Sequence, residues 1–381
     1  MKQTRNKNAN YLPIETGTVS PKAYCQLPDY RHARWIQGRL PSEGRHWFPG
    51  KRGAVARNDP HPDHLAQVVG EAASHHHWRW PKHPVFFIAD PHADAEAFVA
   101  SLLATGGVRR SGPRLNDFRL TSAGRTALFI IGGDCLDKGP SNLALLRSIR
   151  HLMDSGAKVK LLAGNHDVRL LMGIRAMGLQ RDPLTEHLFV RMGEKVVPLL
   201  REIHDTYLKG KRLKRSIPPE DACREQLYPS PAWFERFPRE AGKLINPHAI
   251  QRELARMRRK TGNFEAACRQ AGMSLRDVYA TALKCRELFL KRNGEFAWFF
   301  RDMQLACREG SFLFIHAGLD DSVSRLIRHK GVRHLNKLYR KQVKKDLFAF
   351  YYGPLANSMR TKYRAVDRPL TRKGVRRVYK E

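Results

Sequence analysis

Acidic, imidazole and amide side chains recur in four short clusters: Asp90-Pro91-His92, Gly133-Asp134-Cys135-Leu136-Asp137-Lys138-Gly139, Gly164-Asn165-His166-Asp167 and His316-Ala317-Gly318. Carboxylate, amide oxygen and imidazole are hard-to-borderline donors that suit Mn²⁺, Fe or Zn²⁺ without any thiolate. In Asp90-x-His92 the two ligands lie two residues apart, so on an extended chain both point the same way and can hold one ion. Asp134 is then placed to bridge that ion to a second one held by Asn165 and His316. Two ions roughly 3.5–4 Å apart activate a shared water and clamp a phosphate for in-line attack. The glycines at 133, 139, 164 and 318 suit a backbone that turns sharply.

Each cluster follows a short apolar run. Val85–Ala89, Ala127–Gly132, Val159–Ala163 and Ser311–Ile315 read as strands buried on both faces. Ala93–Thr105 reads as a helix ending at Gly106-Gly107, and the basic, Gly/Pro-punctuated stretch 109–126 as a loop. Ser141 is placed to cap a helix whose Leu145, Ile149, Leu152 and Met153 share a face, with Gly156 ending it. The alternation predicts an α/β sheet flanked by helices, with ligands at the strands' carboxyl ends. From about 180 to 310 the pattern turns helical. Ser274 with Asp277 resembles a capping box opening a helix to about Arg292. Phe296–Cys307 reads as another helix, its aromatics at helical spacing in the core. That stretch is expected to be a helical insertion within one domain spanning 81–381. Residues 1–80, rich in Pro, Gly, Asn, His and Arg, read as a basic, loosely ordered N-terminal extension.

The composition narrows the function classes. At 381 residues and 42% hydrophobic content the chain can bury a sizeable core. Its apolar runs fall far short of the roughly 18 residues that span a bilayer, and no apolar stretch follows the charged N-terminus, so neither a membrane span nor a secretory signal is expected. Six scattered cysteines with no CxxC pair argue against a zinc ribbon or a disulfide scaffold and for a reducing, cytoplasmic setting. The net charge is +33, from 69 basic and 36 acidic side chains. Residues 81–168 carry 11 basic and 8 acidic groups, so the excess is least where the four clusters begin. Such a field attracts phosphorylated substrates, nucleic acid and other polyanions.

The four clusters, read as ADPHAD, GGDCLDKGPSN, AGNHDVR and FIHAGL, resemble the motifs of the calcineurin-like metallophosphoesterase superfamily. They look most like the branch containing Ser/Thr phosphoprotein phosphatases and bacterial symmetrical diadenosine tetraphosphatases, with GD-x-H-G, GD-x-x-D-R-G, GNH-E/D and HGG or HAG in this order. The resemblance implies a metallophosphoesterase sandwich of β-sheets flanked by helices, holding two divalent ions. It makes Asp90 and His92 ligands of the first ion, Asp134 the bridge, and Asn165 and His316 ligands of the second. It makes His166 the general acid, oriented and charged by Asp137. Lys138 stands where the family usually has a phosphate-binding Arg and offers a point charge in place of a planar fork. Arg169, just behind GNHD, is the candidate to supply that fork. The implied reaction is hydrolysis of a phosphomonoester or phosphoanhydride, on a phosphoprotein or nucleotide, by a dimetal-activated hydroxide.

Two departures matter. Ala89 and Ala93 replace glycines of the first motif. The family also has a further metal-ligand His late in the chain, whereas only His329 and His334 follow Gly318, so the chain is expected to end before that strand. These features keep two alternatives open: a phosphodiesterase or nuclease, against which the HAG ending argues, and a basic nucleic-acid-binding or scaffold protein with a degenerate site. His75-His76-His77 is expected to be a solvated linker, and His187 and His204 surface groups.

Overall fold

The computed structural model describes Arg79 and residues 81–211, 215–361 and 369–379. The expectations for residues 1–78 and for His75-His76-His77 lie outside the described residues. The chain opens with β1 (Val85–Ile88), α1 (Ala95–Ala104), β2 (Val108–Arg110), β3 (Phe118–Leu120), α2 (Ser122–Thr126), β4 (Leu128–Ile131), α3 (Asn142–Asp154), β5 (Lys158–Leu162) and α4 (Asn165–Ala176). Helices α5 (Val197–Tyr207), α6 (Glu220–Leu227), α7 (Trp233–Ala241), α8 (Pro247–Gln270), α9 (Leu275–Leu290) and α10 (Ala297–Asp302) follow. Then come β6 (Met303–Gln304), β7 (Ala306–Glu309), β8 (Phe312–Ile315), α11 (Asp321–Lys345), α12 (Leu347–Tyr352) and α13 (Arg372–Tyr379).

Four strands form a parallel sheet in the order β1-β4-β5-β6. Strand β4 is central and wholly buried, which its unbroken Leu-Phe-Ile-Ile run requires. Alternation sorts its side chains between two layers. Phe129 and Ile131 join Phe98, Leu102 and Ile149 in the core beneath α1 and α3. Leu128 and Ile130 face the other way, onto Leu162, Cys307 and Phe314. That second layer is the antiparallel β7–β8 hairpin. The α/β class and the helix-flanked sheet thus stand, with a two-stranded ribbon as the second sheet.

Several local expectations need correction. Strand β1 is at the sheet edge and Phe87 is exposed, so its apolar run is not buried on both faces. Phe87 stacks instead on Phe314 across the two layers, centroids 5.7 Å apart. Strand β8 is half-buried for the same reason: its hairpin has neighbours on one side. The stretch 109–126 is not loop throughout, because Val108, Phe118 and Leu120 bury one face of the β2–β3 pair. The helix expected over 296–307 stops at Asp302. Met303 and Gln304 pair with Leu161 and Leu162 instead. Asn336 Oδ1 then accepts from the Leu305 and Ala306 amides at 2.9 and 3.2 Å, and its amide donates to the Ala306 carbonyl at 2.8 Å. Tertiary pairing overrides the helical spacing of Phe296, Phe299, Phe300 and Met303, of which all four are buried.

Ser141 does cap α3, accepting from the Ala144 amide at 3.1 Å. Ser274 and Asp277 do form a capping box at the start of α9. Helix α9 packs on α5, α6 and α4, so the helical stretch is fastened to the helix that begins with Asn165 and His166. One continuous hydrophobic cluster runs from the sheet's helical face through these helices. Among the described residues no helix is long and apolar enough to cross a membrane.

Candidate metal centre

The carboxyl ends of β1, β4, β5 and β8 meet at one end of the sheet. The loops after β1 and β4 are zipped together: the His92 amide donates to the Asp134 carbonyl at 2.9 Å and the Ala93 amide to the Cys135 carbonyl at 2.8 Å. Among the described residues six non-glycine residues have positive φ, and all lie in these two loops: Asp90, His92, Ala93, Asp134, Asp137 and Lys138. Such conformations cost roughly 1–2 kcal/mol each and persist only where their surroundings over-determine them. Glycine permits the closest approaches. A Cβ on Gly133, whose φ is +92°, would sit 2.6 Å from the Gly164 nitrogen, and a Cβ on Gly164 would overlap the Asp134 amide.

Asp134 stands at the centre and is buried. Ligand atoms of Asp90, Asp134 and His316 lie within 4.8 Å of one another. His316 approaches Asp134 Oδ1 at 3.5 Å and Asp90 Oδ1 at 3.7 Å. The other oxygen, Asp134 Oδ2, faces His92 at 3.8 Å and His166 at 3.9 Å. The carboxylate therefore looks both ways, as a bridge must. The expected Asp-x-His pair on an extended chain is not what forms. Both residues have positive φ, and Asp90 groups with His316 while His92 turns to the far side of Asp134.

The imidazoles are oriented by their second nitrogens. His316 Nδ1 is 2.7 Å from the Gly132 carbonyl and His92 Nδ1 is 3.4 Å from the Leu136 carbonyl. Carbonyls only accept, so each Nδ1 carries its proton, and a neutral ring then offers its Nε2 lone pair to the site. Lys138 Nζ donates to that lone pair on His92 at 2.8 Å. Burial pushes the His92 imidazole below its ordinary value, Lys138 adds to this, and the Leu136 carbonyl opposes it. A neutral ring is the form that binds a cation. With its amide nitrogen donating to the Met359 carbonyl at 3.2 Å, Asn165 turns its oxygen toward the His166 amide. The donors of Asp90, Asp134 and His316 fit a divalent cation: two carboxylates and an imidazole converge, and His316 Nδ1 is held by the Gly132 carbonyl.

His166 is buried, and its Nδ1 lies 2.8 Å from Asp137 Oδ2. Its Nε2 faces Asp134. Arg169 is half-buried one turn along α4 and, with Asn165, lines a cleft of about 560 Å³ beside the centre. His329 and His334 are on α11 and join no ligand group among the described residues. His187 is a plain correction: it is fully buried, not on the surface, with Nε2 2.8 Å from the Tyr352 hydroxyl, and burial lowers it to about 3. His204 is half-buried beside Asp205 and Asp277.

Two residues that the sequence analysis gives no role support the site. Asp167 accepts from the Cys135, Leu136 and Gly164 amides at 2.8, 3.1 and 3.2 Å, clamping the loop after β4 to the end of β5. Burial, with the neighbouring Asp134, pushes its carboxyl well above the usual range, and these three donors pull it back. Its place in GNH-E/D was the available signal. Glu202 on α5 accepts from Ser141 Oγ and from the Asn142 and Leu143 amides, while Asn142 Oδ1 accepts from the Asp137 amide. A lone Glu on a distant helix carries no sequence signal for that task.

Residues 83–252 match the family model of the calcineurin-like phosphoesterases. By this match the segment, a little under half of the chain, is similar to that family. It spans the first three motifs of the phosphoesterase site, and FIHAGL lies beyond it. No curated protein matches the chain. A mutant cold-active protein tyrosine phosphatase of known structure is similar over 78% of this chain, at 15% identity and a TM-score of 0.37. The chain covers 61% of that protein's length, a likeness too low to carry an argument.

Proposed function

We propose that the protein is a metal-dependent phosphatase that hydrolyses a phosphomonoester or phosphoanhydride, of the branch that includes Ser/Thr phosphoprotein phosphatases and diadenosine tetraphosphatases. The carrying observation is the two-sided placement of the Asp134 carboxylate between His316 with Asp90 and His92 with His166. Asp90, His92, Asp134, Asn165 and His316 would hold two divalent ions, of which manganese, iron and zinc suit the donors. Bound there, the ions supply Lewis acidity and an activated water.

The chain's own groups supply the rest. His166 Nε2 donates a proton to the leaving oxygen, and the Asp137 carboxylate at its Nδ1 stabilises the cationic ring and fixes its orientation. Lys138, exposed at the loop tip, swings from His92 to a phosphoryl oxygen as a point charge. Arg169 offers a guanidinium at the mouth of the adjoining cleft. The basic surface draws anionic substrates toward the site. The five described cysteines are free and buried, which supports a cytoplasmic setting.

Phosphate release from p-nitrophenyl phosphate tests this reading. Added Mn²⁺ should stimulate it, a chelator should abolish it, and Asp134→Asn should remove it in the presence of saturating Mn²⁺. Metal-independent release, or a fully active Asp134→Asn variant, would sink the proposal.

A further inference from the structure

The cleft beside the metal centre is unusual in what lines it. At its inner end are Asn165 and Arg169, the first turns of α4. Its walls come from elsewhere: Arg191 and Lys195 from the segment before α5, Arg256, Arg259 and Lys260 from α8, and Arg360 from the chain after α12. Glu194 is the one acidic lining residue.

These charges are incompletely matched. Glu253, buried beneath the cleft, pairs with both Arg191 and Arg256. Arg360 donates to the Tyr351 carbonyl at 2.7 Å and has no ion pair among the described residues. Arg169, Lys195 and Arg259 have no ion pair among the described residues. Lys260 is half-buried and donates to the Arg191 and Met192 carbonyls at 2.9 and 3.1 Å, with no ion pair among the described residues. Burial, with Arg191 and Arg169 nearby, holds its amine down to about 7. Crowded cations around a concave space are costly unless an anion enters it.

The chemistry of that anion can be narrowed. Tyr351 is the one aromatic lining residue, and its ring is already covered by Arg191 and Arg360, with the guanidinium carbons 5.5 and 5.0 Å from its centroid. No aliphatic residue lines the cleft. It therefore offers neither a free platform for stacking a base nor an apolar pocket for a peptide side chain, but it offers charge-assisted donors in several directions. A volume of about 560 Å³ has room for far more than one phosphoryl group.

We propose that this cleft is a second phosphate-binding subsite, and that the substrate carries a linear chain of phosphoryl groups whose distal members lie among Arg256, Arg259, Lys195 and Arg360 while the reacting one lies at the metal centre. The assignment rests on the phosphoesterase reading only for which end reacts. The binding itself involves residues of the helical stretch and of the C-terminal segment.

The test is calorimetric titration of the full chain, kept in chelator so that catalysis plays no part, at roughly physiological 0.15 M ionic strength. Inorganic tripolyphosphate should bind one to one and at least about tenfold more tightly than orthophosphate. Lys195→Gln/Arg259→Gln, both exposed and unpaired, should weaken tripolyphosphate by about tenfold or more. Arg109→Gln/Arg119→Gln, a charge-matched pair facing each other on exposed positions of β2 and β3, should change it less than about twofold. Equal losses in the two variants would mean general attraction to a basic protein and would overturn the proposal. So would tighter binding of an acidic phosphopeptide than of tripolyphosphate. Because no turnover is measured, failure of the phosphatase assay leaves this result independent.

Discussion

The metal centre and the cationic cleft share Asn165 as a wall, yet they are built in opposite ways. The centre sits on loops whose backbones interlock: six residues at positive φ, two glycines at contact distance, and the Nδ1 atoms of His166 and His316 held by Asp137 and the Gly132 carbonyl. The cleft is lined by side chains from helices and the segments between them, several of them exposed and without an ion pair among the described residues. A site that must fix atoms to a fraction of an ångström is over-determined by its supporting shell. A site that supplies charge tolerates looser placement, because Coulomb attraction falls slowly with distance. The centre should therefore be brittle and the cleft forgiving.

The largest effect should come from His166→Ala, which removes the proposed proton donor. Turnover is expected to fall about 10²–10⁴-fold while bound metal stays close to the wild-type level, because His166 is not among the five proposed ligands. Loss of metal in this variant would move His166 into the ligand set. Next, Gly164→Ala forces a methyl onto the Asp134 amide. Overpacking of this kind costs roughly 1–3 kcal/mol, so thermal unfolding should shift down by several degrees. Arg259→Gln, on the exposed face of the cleft, should leave the unfolding temperature within about the ±0.5 kcal/mol scatter of surface substitutions. Similar losses of stability from Gly164→Ala and Arg259→Gln would erase the contrast between the two regions.

A smaller, pH-dependent effect concerns Lys260. Its folded value is about 7 against an ordinary 10.5, so folding releases its proton between these values and stability rises with pH across that window. The destabilisation is complete below about 7 and gone above about 10.5. Compared with Lys260→Met, the wild type should gain a few degrees of unfolding temperature from about pH 7 to about pH 10. A pH-independent difference would show that Lys260 is not held in a cationic, desolvated place.

The same contrast explains what could be read from the sequence. The placement of Asp90, His92, Asp134, Asn165 and His316 at one end of the sheets was legible because each follows an apolar strand within a few residues, and packed strands bring such ends together whatever their separation along the chain. Their grouping was not legible. Whether Asp90 pairs with His92 or with His316 depends on left-handed turns that Asp and His only sometimes adopt. The cleft was invisible for a different reason. Arg169, Arg191, Arg259 and Arg360 come from four separate segments, and an arginine on a helix looks the same whether it faces solvent or a substrate. The misread helix over 296–307 and the misplaced His187 have one cause: periodicity reports which side chains are apolar, not which partners arrive from elsewhere.

The most direct test counts cations. Elemental analysis of the wild type after Mn²⁺ loading and desalting is expected to give two ions per chain, and Asp134→Asn, lacking the bridging charge, fewer than one. A wild type that retains no divalent ion, or an Asp134→Asn variant that retains as many as the wild type, would contradict the account.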